Sequence, residues 1–172
     1  RWDDAGAEIL AAVEERPALT CAAAADDERS RALAAAGLRR VSRYWVGRPT
    51  AAAAPAAHGD ADGIAPLPPG QAVAPGPAHT FGAVLDPHAL GAVALTDGRG
   101  GVVVASPPVT APPVYDPGGT VAVVDRLTGD DRPRLLDAAL GAVAHRGDVL
   151  VAVVAAGDDD ALASLLDDRG LR

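Results

Sequence analysis

The sequence predicts an α/β fold, and three observations support this. Apolar, strand-like runs alternate with helix-like stretches along most of the 172 residues. One pattern occurs twice: a helix, a short apolar strand, an acidic turn, a second helix and the tripeptide Gly-Leu-Arg, at 37–39 and at 170–172. A stretch rich in Pro, Ala and Gly separates the two copies. A repeat of this length indicates two related structural units.

The composition limits the classes of function. The formal net charge is −8, and no basic patch is visible, so we expect no binding to nucleic acid. The single cysteine, Cys21, lies in an apolar run, which indicates a buried thiol and excludes an internal disulfide. We expect no metal site. The longest apolar runs are far below the ~20 residues of a membrane span, and no signal peptide is recognisable. We therefore expect a cytoplasmic protein that does not bind membranes.

The first unit is predicted over residues 1–48. Its first helix ends at Pro17, because proline cannot continue a helix. Asp26 and Asp27 are suitable caps for the next helix, and Gly37 is a suitable left-handed terminator. The elements are, in order, a helix over 3–16, a strand over 18–24, a helix over 27–36 and a strand over 38–46.

Residues 49–79 are predicted as an extended linker with weak order, because their Pro, Ala and Gly content is poorly suited to a regular core element. The second unit follows over 80–172. Two apolar runs around Asp97-Gly98 indicate a β-hairpin. Its later elements are a strand over 120–124, a helix over 131–146, a strand over 149–156 and a last helix that ends at Gly170.

The order of elements in the second unit resembles the GNAT acetyltransferase superfamily. The resemblance rests on "VAVVDRLTGDDRPRLLDAALGAVAHRGDVLVAVVAAGDDDALASLLDDRGLR", in which a strand leads into the loop Arg126-Leu-Thr-Gly129-Asp-Asp131 and a helix. That loop is similar to the family's Q/R-x-x-G-x-G/A motif. In the first unit, "RALAAAGLRRVSRYW" is similar to the family's closing helix, its turn and the next strand. The resemblance implies a tandem protein with a mixed β-sheet flanked by helices, and with the 1–48 unit packed against the second.

The same resemblance implies that acetyl-CoA is the cofactor. In the family, loop N–H groups and the helix N-terminus hold the pyrophosphate, because a helix start attracts anions and glycine permits their close approach. Backbone groups of the central strand polarise the thioester carbonyl. The cofactor-binding residues implied in this way are Val123, Val124, Arg126, Thr128, Gly129 and Arg132.

Asp125 lies at the end of the central strand and is the candidate general base for an acceptor amine. A salt bridge to Arg126 or Arg132 is the alternative interpretation of this carboxylate. The implied reaction is transfer of an acetyl group from acetyl-CoA to an amine, whose identity the sequence does not indicate. A homodimer remains open.

The loop and the last helix depart from the family pattern. Asp130 and Asp131 place carboxylates where pyrophosphate would sit, and like charges ~4 Å apart repel by about 1 kcal/mol even in water. The family's proton-donating tyrosine corresponds to Leu166 here, and to Leu33 in the first unit. These departures favour an alternative function, a catalytically inactive GNAT-like structural or binding domain. An unrelated α/β binding domain is the third reading.

Overall fold

The computed structural model describes residues 26–50, 63–74, 76, 86–110 and 118–172. The chain divides into two compact units, Arg1–Val41 and Ser42–Arg172. The predicted first unit ends at residue 48 instead. The difference arises because strand β1 (Ser42–Gly47) pairs antiparallel with strand β7 (Leu150–Ala156) and therefore belongs to the second unit. The helix predicted over 3–16 and the strand predicted over 18–24 lie outside the described residues.

In the described part of the first unit, helix α1 (Asp27–Ala35) agrees with the helix predicted over 27–36. The Asp26 side chain caps it by accepting a hydrogen bond of 3.0 Å from the Arg29 amide. Gly37 ends it with φ +81°, a conformation that residues with a side chain rarely adopt. The Leu38 amide then donates to the Leu33 carbonyl oxygen at 3.0 Å.

The second unit is built on a mixed sheet of seven strands among its described residues. Besides β1 and β7, the strands are β2 (Ala65–Pro66), β3 (Val93–Thr96), β4 (Val102–Ala105), β5 (Val109–Thr110) and β6 (Thr120–Thr128). Their order is β1-β7-β6-β4-β3-β2, and β5 also pairs with β6. The β6–β7 pair is parallel and the other pairs are antiparallel. The predicted α/β class is thus confirmed.

Two helices follow β6 and β7. Helix α2 (Arg132–Arg146) makes the crossover that a parallel pair requires, and it ends at Gly147 with φ +95°. Helix α3 (Asp160–Asp168) begins after Asp159, whose side chain accepts a hydrogen bond of 2.9 Å from the Leu162 amide. The bounds of α2, β7 and α3 agree closely with the sequence prediction.

The main core lies between these helices and the sheet. It consists mostly of alanine, valine and leucine, as the low aromatic content requires. Alternate residues of the strands point into it, because successive side chains of a strand face opposite sides of the sheet. Its fully buried larger members include Val103, Val124, Leu135, Leu136, Leu140, Val143, Val151, Val153, Leu166 and Leu171.

Residues 63–74, predicted as part of a linker, instead cover part of the sheet. Strand β2 pairs with β3, and the Leu67 amide donates to the Ala94 carbonyl oxygen at 2.9 Å. Leu67 is buried in a second cluster with Val102 and Val104. Leu67 and Val73 in this cluster, and Ile64 at the main core, pack this segment on the sheet despite its proline content. Residues 51–62 of the predicted linker lie outside the described residues.

The two Gly-Leu-Arg segments end their helices in the same way. Gly170 has φ +74°, and the Leu171 amide donates to the Leu166 carbonyl oxygen at 3.1 Å, as Gly37 and Leu38 do in the first unit. Each helix is also capped by an aspartate. The repeat beyond these ends stays a prediction, because the strand of the first copy lies outside the described residues.

Candidate functional site at the end of strand β6

The candidate site lies where the parallel strands β6 and β7 cease to pair. Their ladder joins Val121–Val124 to Leu150–Val153, whereas β6 continues to Thr128 and β7 to Ala156. On its other side, β6 contains a bulge opposite Ala105: Val104 is opposite Arg126, but Ala105 is opposite Val124. Asp125 is therefore the extra residue. Bulges redirect side chains and often occur beside active sites.

Asp125, the predicted general base, is buried. Its side chain is 3% exposed and that of Arg126 is 2% exposed, with 3.7 Å between Asp125 Oδ1 and Arg126 Nε. The structure thus contains the salt bridge that the sequence left as the alternative. Removing one partner of such a pair would leave the other as an uncompensated buried charge, which is strongly destabilising.

The backbone of Val123, implied as a carbonyl-polarising group, is already paired. Its amide donates to Ser106 Oγ at 3.0 Å, and its carbonyl oxygen accepts from the Ser106 amide at 2.8 Å. Val124 is fully buried and pairs with Val153 in the parallel ladder. Sequence reasoning missed Ser106, because no local signal indicates that its hydroxyl replaces a strand hydrogen bond beside the bulge.

The loop is shorter than the motif implies. Arg126, Leu127 and Thr128 belong to β6, because β6 continues to pair with β4 as far as Thr128 opposite Val102. The exposed Thr128 ends the strand, and its Oγ1 donates to the Val102 carbonyl oxygen at 3.4 Å. The connection to α2 therefore consists of residues 129–131.

Gly129 has two structural tasks. Its φ is +98°, and a Cβ there would clash with the Gly101 Cα and lie 3.1 Å from the Gly101 nitrogen. The loop thus packs against the β3–β4 hairpin with no room for a side chain. Asp97 shapes that hairpin: its Oδ1 accepts from the Arg99 and Gly101 amides, both at 2.8 Å. The Arg99 amide contributes most to lowering the pKa of Asp97 below its ordinary value.

The N-terminus of α2 carries no side-chain cap. Asp131 is the N-cap residue, but it makes no capping hydrogen bond, and the first turn contains no acidic residue. The Asp131 carboxylate instead accepts from Arg134 at 2.8 Å. The first N–H groups of a helix have no partner within the helix and favour an anion. The negative charge of Asp131 would repel a phosphate at this helix start. Its ion pair with Arg134 partly neutralises that charge.

Arg132 links the two helices. Its Nη1 donates to Asp159 Oδ2 at 2.5 Å, so this guanidinium joins the first turn of α2 to the cap of α3. Partial burial raises the pKa of Asp159, but the Leu162 amide and Arg132 outweigh it and hold the pKa below its ordinary value.

The structure brings the predicted residues to one end of β6 but gives them different surroundings. Thr128 and Gly129 are exposed beside the start of α2, and Arg132 is partly exposed. Asp125 and Arg126 lie beneath the surface. Leu166, which the predicted resemblance aligns with the family's tyrosine, is a fully buried core residue.

Comparison of the chain with protein-family models, with curated proteins and with solved structures finds no match. In the described part of the chain, no group of three or more His, Cys, Asp and Glu side chains is arranged to hold a metal ion. The helices of that part also lack the combination of length and apolar character that a membrane crossing demands.

Proposed function

We propose that the Ser42–Arg172 unit binds acetyl-CoA at the end of β6 and transfers its acetyl group to an amine. The observation that carries this proposal is the bulge at Asp125, placed where β6 and β7 cease to pair and four residues before the turn at Gly129 into α2. It supports the GNAT resemblance because the strand, the turn and the helix start occur in that order around one point.

The residues around this point suit an anionic, phosphate-bearing ligand. The uncapped first turn of α2 offers N–H groups, the Asp131 carboxylate is drawn to Arg134, and Thr128 is an exposed residue at the start of the loop. Arg132 adds positive charge beside the turn. Asp130, which is exposed, opposes these groups. We therefore expect a site that tolerates phosphate with modest affinity.

When bound, acetyl-CoA supplies an activated acetyl thioester, which an amine attacks with release of the CoA thiol. The chain's own part is to orient the thioester beside β6 and to accept the proton of the amine. Asp125 is the carboxylate at this point of the strand, but it is shielded in the described arrangement. The reaction therefore requires Asp125 to gain access to the acceptor.

A second candidate is a catalytically inactive domain of the same architecture. It is favoured by the state of the two proton-transfer positions: Asp125 is buried beside Arg126, and Leu166, which stands in place of a tyrosine, cannot donate a proton. Such a domain retains the end of β6 at most as a binding site. The two candidates differ in turnover and agree in fold.

Calorimetric titration with acetyl-CoA tests the binding step, using a matched pair of variants at Thr128. Gly129→Glu is unsuitable, because Gly129 has no room for a side chain. Thr128→Glu adds a negative charge at the proposed phosphate position, and Thr128→Gln adds the same bulk without charge. We expect Thr128→Glu to weaken binding about tenfold relative to Thr128→Gln, the order expected for one unfavourable charge of about 1.4 kcal/mol.

Equal affinities of the two variants would contradict a phosphate site at this loop. A separate assay of CoA thiol release with a panel of amines then distinguishes the two candidates. Release that depends on the amine supports the transferase, and binding without release supports the inactive domain.

A further inference from the structure

A segment of the chain lies over the buried pair Asp125–Arg126. This covering segment consists of residues 63–74 and Gly76. It follows the side of the sheet that carries Val102 and Val104, where Leu67 and Val73 pack. Its strand β2 is two residues long, and the Gln71 carbonyl oxygen lies 3.2 Å from His88 Nε2.

Gly76 makes the direct contact. A Cβ built on Gly76 would clash with the Asp125 carbonyl oxygen, lie 2.7 Å from the Asp125 carbonyl carbon and lie 3.0 Å from Arg126 Cγ. The Gly76 Cα is therefore seated against the bulge itself. Its φ lies outside the left-handed region, so glycine is required here by this close contact and not by backbone conformation.

The contact lies on the backbone of Asp125 and on the side chain of Arg126, the pair that the proposed reaction needs. Asp125 and Arg126 are both 2% exposed, and Arg126 is opposite Val104, a member of the apolar second cluster. Burial of charged groups costs desolvation free energy. A motion that returns them to water recovers part of this free energy. The covering segment is held by a two-residue strand, by Leu67 and Val73 at the second cluster and by Ile64 at the main core. A segment held by so few contacts opens at lower cost than a core strand does.

We propose that the covering segment is an autoinhibitory cover: with Gly76 on the bulge the domain is closed, and its departure exposes Asp125 to the acceptor amine and Arg126 to the anionic ligand. This inference rests on the proposed function. It explains why Asp125, the proposed general base, is buried in this structure. Ligand affinity is then reduced by the fraction of molecules that are closed.

The test compares Gly76→Val with the wild-type chain, and uses Ala72→Val as the matched control. Ala72 is exposed in the same segment, so its variant places the same valine side chain away from the bulge. Amide hydrogen exchange measured by NMR reports opening at Asp125 and Arg126, and the amides of α2 report whether the fold is intact. Gly76→Ala provides a milder step if Gly76→Val loosens α2. Calorimetry with acetyl-CoA is performed on the same proteins.

We expect Gly76→Val to speed exchange at Asp125 and Arg126 about tenfold or more, with α2 unchanged. The Kd for acetyl-CoA should fall by the same factor, because exchange and binding both draw on the open fraction. Ala72→Val should change neither quantity.

The remaining outcomes separate the inference from the function on which it rests. Exchange at Asp125 and Arg126 that stays at the wild-type rate would show that Gly76 does not hold the cover closed. Faster exchange with an unchanged Kd would overturn the autoinhibitory role and leave acetyl-CoA binding intact. A lack of acetyl-CoA binding in all three proteins would overturn the proposed function, and the inference with it.

Discussion

At the scale of single residues, the loop between β6 and α2 is fixed by a glycine pair. Gly129 approaches Gly101 so closely that neither the backbone conformation nor the available space admits a side chain. The glycine of the R-x-x-G motif was identified from the sequence, but its partner was not, because Gly101 lies in a hairpin 28 positions earlier and nothing local marks the contact. In the structure, the same glycine that suits a phosphate loop is also a packing residue.

Gly129→Ala should therefore destabilise the protein more than Gly98→Ala. Gly98 has a φ of +69° with nothing within 4 Å of its virtual Cβ, so alanine there adds backbone strain alone, about 1–2 kcal/mol. At position 129 the clash with Gly101 is added to a similar strain. Urea denaturation of both variants measures the difference, and equal losses would show that the hairpin moves aside freely.

Asp159 offers a pH-dependent test at the same scale. Its pKa in the folded state lies below its ordinary value, so it stabilises the folded protein above about pH 4 and loses this effect as the pH falls through the folded-state pKa. Asp159→Asn should lower the free energy of unfolding by about 0.5–1 kcal/mol at pH 7, because the pair is partly exposed, and by much less near pH 2.

Asp158→Asn is the control for that experiment. It removes one negative charge from the same turn and leaves the hydrogen bond from Arg132 to Asp159 in place. A deficit of Asp159→Asn that is the same at both pH values would contradict an ionic origin of the effect.

At the scale of elements, the sequence predicted the strongly periodic parts and missed the parts that depend on distant contacts. Helix α2, strand β7 and helix α3 follow from apolar spacing, aspartate caps and terminal glycines, and their predicted bounds are close to those observed. The length of β6 was underestimated, because the charged residues Asp125 and Arg126 end the apolar run although the strand continues to pair with β4. The bulge has no sequence signal of its own.

The covering segment was missed for a related reason. Its proline and glycine content indicates a linker, whereas its pairing with β3 and the packing of Ile64, Leu67 and Val73 make it structural. The candidate site was predicted in part: its position at the end of β6 follows from the motif, whereas the burial of Asp125 and its contact with Gly76, 49 positions away, have no local signal in the sequence.

Leu67→Ala tests whether this segment is structural. Leu67 is 7% exposed in the second cluster, so the variant should lose about 2–3 kcal/mol, in the lower part of the range for buried leucine. Leu90→Ala is the control, because Leu90 is 98% exposed and its loss should be close to zero. Similar stabilities of the two variants in chemical denaturation would show that residues 63–74 do not contribute to the stability of the fold, as expected of a linker.

At the scale of the whole molecule, the boundary between the two units determines the unit to which β1 belongs. The predicted boundary at residue 48 assigns Ser42–Gly47 to the first unit, whereas the structure places this strand on β7. The assignment matters for stability because β1 carries Trp45. This side chain is buried in the main core, and its Nε1 donates to Asp167 Oδ1 at 2.8 Å.

Two shortened chains distinguish these boundaries. A chain that begins at Ser42 keeps every described strand of the sheet and should unfold cooperatively. A chain that begins at Arg48 loses β1 and Trp45, and should be less stable than the first by at least about 3–5 kcal/mol, the loss typical of removing a large aromatic side chain from a core. Equal thermal stability of the two chains would place the boundary at residue 48.

The claim that acetyl-CoA binds where β6 passes into α2 is tested most directly by NMR on the full chain. Titration with acetyl-CoA should shift amide resonances chiefly at Thr128, Gly129, Arg132 and Arg134, and at Asp125 once the cover is displaced. The amides of residues 143–146, at the opposite end of α2 from the proposed site, serve as the internal reference and should stay unchanged. Shifts confined to other parts of the molecule, or none up to millimolar acetyl-CoA, would contradict the proposed site and with it the proposed function.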